Sequence, residues 1–371
     1  MSAGTSKLLA SYKAYLLPGF VFQSIVIGGG YGTGRELVEF FLREGPAAGY
    51  LGMLIATLIW GMVLACGFEL ARVGRNYDYR KFSKALLGRA WVAVDVLAVL
   101  SMILTIAVLG SASGELLHEM SGAPPLVGTL LLMAVIGLLV FWGSQLIERV
   151  FSVWSFLLYG FYLALIILVL RTNASDVIAN ATDWDPNSSW LVSGVRYAGY
   201  NLAGLSVMLF VVRHIKTRQQ AVVSGFLAGG IAMFPGVLIY TALLAFYPAI
   251  LNESIPANFV LSQLDWPAFQ LLFQVILFGT FIETGTGTIH GFNERLAGAW
   301  RESGHEMSRW QRLGVAAAVL VIAVWLADRF GLVALISQGY GLITWGFWLF
   351  LLLPVLFFGF RQFALRRTDC D

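Results

Sequence analysis

A run of glycines in the first apolar stretch offers backbone chemistry rather than side-chain chemistry. Residues 28–34 read Gly-Gly-Gly-Tyr-Gly-Thr-Gly and contain five glycines. Each glycine destabilises a helix by about 1 kcal/mol relative to alanine, so we expect the helix to unwind here. The freed N–H and C=O groups could then bind a small polar solute. The candidate solute-binding residues of this run are Gly28, Gly30, Tyr31, Gly32, Thr33 and Gly34.

The alternative for this run is a glycine face that lets two helices pack closely. Packing glycines recur every fourth residue on one face of a helix. The glycines of 28–34 instead wrap around the helix axis, and a charged pair, Arg35 and Glu36, follows them directly. The pattern therefore favours an interruption of the helix.

A second, weaker interruption is expected in the sixth apolar stretch, where Tyr200 and Asn201 lie between Gly199 and Gly204. Two glycines are also compatible with simple helix packing. If the helix unwinds, the new N-termini near Gly34 and Gly204 would carry a partial positive charge that suits a carboxylate. The carbonyl groups that end the preceding half-helices suit a cation. We therefore expect a small zwitterionic or anionic solute between the two interruptions.

Ionisable side chains inside apolar stretches are costly and mark functional sites by default. Arg35, Glu36 and Glu39 follow the first interruption, and Arg196 precedes the second. These residues could form a gate, or a structural ion pair between Arg196 and Glu36 or Glu39.

The eighth apolar stretch contains a carboxyl group about halfway along it. Thr280, Glu283 and Thr284 share one helical face, because they lie at positions i, i+3 and i+4. Their oxygen atoms could hold Na⁺ at Glu283 and Thr284, or Glu283 could carry a proton. The alternative is a carboxyl that is hydrogen-bonded to the neighbouring hydroxyl groups.

The composition is that of a polytopic membrane protein. Of 371 residues, 58% are hydrophobic and 12% are charged, whereas a soluble domain carries roughly 25% charged residues. The net charge of +3 is too small for a nucleic-acid-binding protein, and two cysteines, Cys66 and Cys370, do not form a disulfide framework or a metal site. No Gly-x-Ser-x-Gly or His-Glu-x-x-His motif occurs, so we expect no enzyme and no cofactor.

Ten transmembrane helices are predicted from apolar runs that are long enough to cross a bilayer. They lie near 14–43, 47–72, 90–118, 124–142, 145–171, 189–213, 217–247, 266–294, 310–328 and 331–361. With the N-terminus inside, 19 of the 24 Lys and Arg residues fall in inner segments and only 3 in outer segments. This distribution follows the positive-inside rule and predicts a bacterial inner-membrane protein with both termini in the cytoplasm.

The two interruptions open the two halves of a five-plus-five arrangement, 14–171 and 189–361. Each half also carries an extra amphipathic segment after its second span, at 77–87 on the inside and 249–264 on the outside. Inverted repeats with interrupted helices at matching places are typical of alternating-access transporters. Two other classes remain open: a receptor or sensor that binds solute without transport, and a channel.

The first-span motif resembles the YkvI-type bacterial membrane proteins. The matching residues are Gly28, Gly30, Tyr31, Thr33, Gly34, Arg35 and Glu36, followed by Phe40-Phe41, with Tyr200-Asn201-Leu202 in the sixth span. The resemblance implies the amino acid–polyamine–organocation superfamily and the leucine-transporter-type fold. That fold implies a solute between spans 1 and 6 and a Na⁺ bridging spans 1 and 8. A Glu at 283 departs from the two hydroxyl residues of relatives there, so Na⁺ and H⁺ both remain open as the coupling ion.

Overall fold

The computed structural model describes residues 8–142, 145–302 and 304–365, and within these ranges the side chains of 142, 145–156, 299, 302 and 365 are left out. Cys370 and three of the inner basic residues counted above, Lys7, Arg366 and Arg367, lie outside the described ranges. The described chain is helical throughout and contains no β-strand. The prediction of an all-α polytopic membrane protein is confirmed.

The first half of the chain begins with a helix that is split into three pieces. A π-helical turn at Tyr12–Leu16 leads into these pieces, which are α1 (Leu17–Val26), α2 (Gly29–Gly32) and α3 (Arg35–Phe40). The other helices of this half are α4 (Pro46–Gly74), α5 (Tyr79–Leu87), α6 (Trp91–Ser121), α7 (Pro125–Trp142), α8 (Gln145–Thr172) and α9 (Ala174–Ala181).

The second half of the described chain contains eight further α-helices. Its helices are α10 (Trp190–Asn201), α11 (Gly204–Met208), α12 (Arg218–Leu243), α13 (Pro256–Gln263), α14 (Pro267–Glu302), α15 (Arg309–Ala334), α16 (Gly341–Phe347) and α17 (Leu353–Leu365). The short helices α5 and α13 fall within the two extra segments expected at 77–87 and 249–264.

Six helical segments of the described chain are long and apolar enough to cross a membrane by themselves. They are Pro46–Gly74, Tyr79–Ser121, Trp190–His214, Arg218–Phe246, Pro267–Gly298 and Arg309–Ala364. A seventh arises if Leu157–Thr172 is joined to Ala174–Ala181 across a 95° bend, and Pro125–Phe141 is a shorter apolar helix. The structure is thus that of an integral membrane protein.

The last of these segments contains a sharp break in the helix. Gly331 has φ 71° and ψ 170°, a conformation that residues with a Cβ rarely adopt. The helix is therefore kinked at Gly331, between Phe330 and Leu332.

Small residues let the two long helices α4 and α12 pack closely. Gly225 of α12 lies against the backbone of Ala65 in α4, and Gly229 lies against the carbonyl oxygen of Thr57. Without a hydrophobic driving force between helices in lipid, such close approach supplies much of the attraction. These two helices support the segments that carry the interruptions, because α1 and α10 also pack on this pair.

We expect Gly225→Ala to destabilise the protein by about 1–3 kcal/mol, because the new methyl group would overlap the Ala65 backbone. Unfolding followed in detergent by temperature or denaturant measures the change. Gly314→Ala in α15 is the matched control, since open space surrounds that position. Equal effects of the two substitutions would contradict the packing described here.

Candidate solute site at the interruption of the first helix

The helix formed by α1 to α3 is interrupted at two consecutive residues. Ile27 has φ −76° and ψ 91°, and Gly28 has φ −118° and ψ −162°, so both are extended. The N–H of Gly28 donates to the carbonyl oxygen of Val26 at 2.9 Å, and the helix resumes when Gly32 N–H donates to Gly28 at 2.8 Å. The first N–H groups of α2 therefore lack partners within their own helix.

The second change of direction in this segment occurs at Gly34. Its φ of 79° lies in the left-handed region, which favours glycine. Thr33 bridges the turn, because its hydroxyl donates to Gly30 O at 2.9 Å and accepts from Arg35 N at 3.3 Å. The hydroxyl of Thr33 is thus engaged with its own backbone.

Tyr31 is directed away from the interruption and into α12. It is fully buried, and its hydroxyl donates to the carbonyl oxygen of Ala232 at 3.1 Å. Tyr162 of α8 closes the other side of the segment by donating to Gly32 O at 3.2 Å. Tyr31 therefore anchors the interrupted segment in this structure.

The second interruption differs from the expected unwinding. α10 ends at Asn201 and α11 begins at Gly204, but Leu202 and Ala203 between them keep right-handed helical dihedral angles. The hydrogen bonds tighten to i, i+3 spacing, as from Ala203 N–H to Tyr200 O at 3.2 Å. The two glycines, five residues apart, change the hydrogen bonds from i, i+4 to i, i+3 spacing without forcing the backbone out of the helix. The helix is therefore wound more tightly here and does not unwind.

The two interruptions are nevertheless close together. A Cβ added at Gly204 would lie 2.8 Å from the Ile25 side chain of α1. Asn201, which is buried, donates from its amide to Tyr197 O at 3.0 Å. Gly204 thus serves close helix approach, and Asn201 bonds to its own helix.

The carboxyl group of Glu36 joins the two halves of the protein. It is 3% exposed and accepts a hydrogen bond from the Tyr200 hydroxyl at 2.5 Å. The same carboxyl folds back against Gly30, where an added methyl group would overlap it. Tyr200 in turn stacks on Tyr340, with ring centroids 4.4 Å apart and an angle of 4° between the rings.

This pairing corrects the expectation that Arg196 would pair with Glu36 or Glu39. Arg196 donates instead to the carbonyl oxygen of Ser337 at 3.1 Å and lies over the Phe40 ring at 5.8 Å. Arg196 lies one helical turn before Tyr200 on the same face of α10, and it ties that helix to the tenth predicted span.

Arg35 of α3 binds the segment that follows α12 in the chain. Its guanidinium is 1% exposed, and one nitrogen donates to the carbonyl oxygens of Leu251 and Glu253, each at 2.9 Å. A second nitrogen pairs with Glu39 at 2.7 Å, and Arg43 pairs with the same carboxylate at 3.0 Å. In addition, Ala257 N–H of α13 donates to Thr33 O at 3.0 Å. The segment 249–264 therefore covers one end of the interrupted helix.

The predicted cation residues lie next to the interruption on α14. The methyl carbon of Thr284 is the nearest side-chain atom to Gly28, 3.9 Å from the place of an added Cβ. Glu283 is half-buried, and Tyr159 of α8 faces it. Thr280 is buried and donates to Ile276 O at 2.9 Å within its own helix. The structure thus brings Thr284 to the interruption, with Glu283 beside it.

Sequence reasoning missed the aromatic cluster around Glu36. Phe40 and Tyr197 both contact Tyr200, with ring centroids 5.7 Å and 5.6 Å from it. Tyr340, which completes the cluster, lies between Gly339 and Gly341. That flanking glycine pair in the tenth span was the available signal.

We expect Arg35→Ala to loosen the cover formed by 249–264, because two carbonyl groups and Glu39 lose a charged donor worth about 1.5–3 kcal/mol per hydrogen bond. Hydrogen–deuterium exchange of that segment should become about tenfold faster or more. Arg361→Ala, on the half-exposed last helix, is the control. Unchanged exchange in Arg35→Ala would mean that the guanidinium does not hold the cover.

This chain is similar in sequence to a known membrane protein and similar in fold to several solved structures. No family model matches the chain. The membrane protein YkvI of Bacillus subtilis is 26% identical over 284 residues, covering 75% of this chain and 79% of YkvI. MhsT in complex with L-phenylalanine superposes with a TM-score of 0.64 at 18% identity, over 92% of this chain and 88% of MhsT. A Na⁺-coupled sialic acid symporter superposes with a TM-score of 0.62 at 15% identity, over 92% of this chain and 78% of the symporter. The predicted resemblance to YkvI-type membrane proteins with a leucine-transporter-type fold is therefore confirmed.

Proposed function

We propose that this protein is a secondary active transporter that moves a small polar organic solute, such as an amino acid, by alternating access and is coupled to a cation. The observation that carries the proposal is the extended pair Ile27 and Gly28 inside the first span. Lipid cannot satisfy unpaired backbone groups, so such a break is stable only where protein encloses it or a ligand binds it. The fold shared with MhsT and the sialic acid symporter supports the same function.

The helices can be assigned to ten spans in two inverted repeats, 14–171 and 189–361. In this assignment α1 to α3 form span 1, α10 and α11 form span 6, and Gly331 separates span 9 from span 10. The positions of α5 and α13, one after the second span of each half, support the inverted relation. The distribution of Lys and Arg supports cytoplasmic termini in a bacterial inner membrane.

The solute would bind along the interruption, between Gly28 and Gly34 on one side and Tyr200, Asn201 and Gly204 on the other. The unpaired N–H groups at the start of α2 suit an anionic group of the solute. Arg35 and Glu39, with the segment that they hold, would form the gate at this end. Arg196 would hold α10 against span 10 behind that gate.

The coupling cation would bind at Glu283, Thr284 and Thr280 of α14, beside the interruption. Thr284 lies against Gly28, so an ion there would touch both the first span and the eighth. Carboxylate and hydroxyl oxygens are ligands for Na⁺, and a partly buried carboxyl can also exchange a proton with water. Among the described residues, no group of three or more His, Cys, Asp or Glu side chains could hold a metal ion.

Two other functions make different predictions. A receptor or sensor would bind solute and show no gradient-driven uptake. A channel would show conductance far above the turnover of a transporter and no saturation with solute. Arg35 ties the segment 249–264 to one end of the interrupted helix, which favours a gated carrier over an open pore.

Uptake by proteoliposomes tests the proposal directly. We expect saturable accumulation of a labelled amino acid or related solute when a Na⁺ or H⁺ gradient is imposed, and none without it. Gly32→Leu should abolish binding and uptake, because even a Cβ at this position would meet Leu277 at 3.0 Å beside the interruption. Gly160→Leu, which faces open space on α8, is the control. Uptake that survives Gly32→Leu unchanged would contradict the placement of the site.

We expect Glu283→Gln to remove the dependence of uptake on the cation gradient, because glutamine carries neither the negative charge nor the exchangeable proton. Uptake with each gradient imposed separately distinguishes Na⁺ from H⁺ in the parent protein. Glu306→Gln, in an exposed loop, is the matched control. If uptake by Glu283→Gln keeps its full ion dependence, the coupling role belongs elsewhere.

A further inference from the structure

The short helix α5 connects two long apolar helices at one end of the bundle. α4 ends at Gly74 and α6 begins at Trp91, and both belong to segments that can cross a membrane. The nine residues of α5, Tyr79–Leu87, therefore lie at the edge of the apolar layer. Phe82 and Ser83 are buried, and α5 packs against α6 and α17. One face of α5 is thus fixed to protein, and the other is open to the surroundings.

The open face of α5 and the turn that follows it are basic. Residues 72–89 contain six Lys and Arg residues and one acidic residue, Asp78. Asp78 caps α5, because its carboxylate accepts from two backbone N–H groups of the first turn at 3.0 Å and 3.1 Å. Lys81, Lys84 and Arg89 are exposed, and among the described residues none of the three pairs with an acidic side chain. These three residues form the basic face.

The other acidic groups nearest to the basic face in the chain are already paired. Glu69 at the end of α4 pairs with Arg72 at 2.7 Å. Asp95 of α6 pairs with Arg295 of α14, which also lies over the Tyr79 ring, 4.0 Å from its centroid. An anionic partner from outside the chain would therefore meet three positive charges that none of these carboxylates offsets.

An apolar groove of about 220 Å³ begins where the basic face ends. The residues that line it are Val92, Asp95, Val96, Val99 and Leu100. The Lys84 ammonium lies over the Trp91 ring, 5.0 Å from its centroid, and the groove starts at the next residue of α6. Val92, Val96 and Leu100 are exposed and share one helical face, so the groove runs along α6 into the membrane-spanning part. Tryptophan is enriched where a membrane meets water, so Trp91 marks the level at which charge gives way to apolar surface.

We propose that the basic face and this groove together bind one anionic phospholipid. The phosphate lies against Lys81, Lys84 and Arg89, and an acyl chain lies in the groove beyond Trp91. Charge complementarity selects the anionic headgroup, because each basic side chain at a membrane surface strengthens the binding of anionic lipid about fivefold. The apolar lining selects a lipid over a soluble phosphate. The site is separate from the interruption of the first helix and does not depend on the proposed transport.

Thermal stabilisation of the purified full-length protein in detergent tests the class of partner. The probes are a phosphatidylglycerol, a phosphatidylcholine with the same acyl chains, and glycerol phosphate, which carries the charge without a chain. A ligand that binds only the folded state stabilises it, so we expect phosphatidylglycerol to act at concentrations about a hundredfold lower than phosphatidylcholine. Glycerol phosphate should have no effect in the same range. Equal potency of phosphatidylglycerol and either of the other probes would overturn the proposal.

Two double variants with the same loss of charge test the basic face. Lys81→Gln with Lys84→Gln should weaken the binding of phosphatidylglycerol about twenty-fivefold and leave that of phosphatidylcholine unchanged. The matched control is Arg213→Gln with Lys216→Gln, two exposed residues whose side chains donate to carbonyl groups of their own segment. This control should bind phosphatidylglycerol as the parent protein does. An equal loss in both double variants would mean that net charge alone decides, which would overturn the proposal.

Fluorescence quenching locates the bound acyl chain. Bromine atoms on a lipid chain quench the indoles that the chain contacts, and the difference between the parent protein and Trp91→Phe isolates the signal of Trp91. We expect brominated phosphatidylglycerol to quench Trp91 over the concentration range in which it stabilises the protein, and brominated phosphatidylcholine to require about a hundredfold more. Trp325, which is exposed on α15, is the control and should respond equally to both lipids. Equal quenching of Trp91 by the two lipids would overturn the proposal.

Discussion

The structure depends on how it satisfies backbone polar groups where the first helix stops. Within lipid, an unpaired N–H or C=O costs several kcal/mol, so an extended pair such as Ile27 and Gly28 requires protein on every side. α12 holds Tyr31, α8 supplies Tyr162, and α13 donates Ala257 N–H to Thr33. Elements far apart in sequence therefore converge on one short segment. The first N–H groups of α2, which have no partner within their own helix, are where the proposed solute would bind.

The need to satisfy buried polar groups also explains the charged residues around this segment. Arg35 donates hydrogen bonds to carbonyl groups of 249–264, which would otherwise face an apolar interior. Glu39 neutralises Arg35 and Arg43. Glu36 and Glu283 remain as carboxyl groups near the interruption without an ion pair in the described structure. Under the proposed function, Glu283 would take up and release the coupling cation.

The sequence predicted the helical architecture and the first interruption because both follow from local composition. Apolar runs locate helices, and the glycines of 28–34 weaken one helix enough to break it. Whether the second interruption unwinds was not predictable, because Gly199 and Gly204 permit either close packing or unwinding. In the structure Gly199 packs against Trp348 and Gly204 against Ile25, and the helix does not unwind. Side-chain partners also depend on tertiary contacts, which is why Arg196 bonds to Ser337 and Tyr200, rather than an arginine, reaches Glu36.

The proposed site exists only if the backbone leaves the helix at Ile27 and Gly28. An experimental density map of the protein in lipid nanodiscs, at a resolution that defines carbonyl oxygens, measures this directly. We expect extended backbone at these two residues, with the helix resuming at Gly29. A continuous helix from Leu17 to Phe40, with every N–H bonded four residues back, would contradict it.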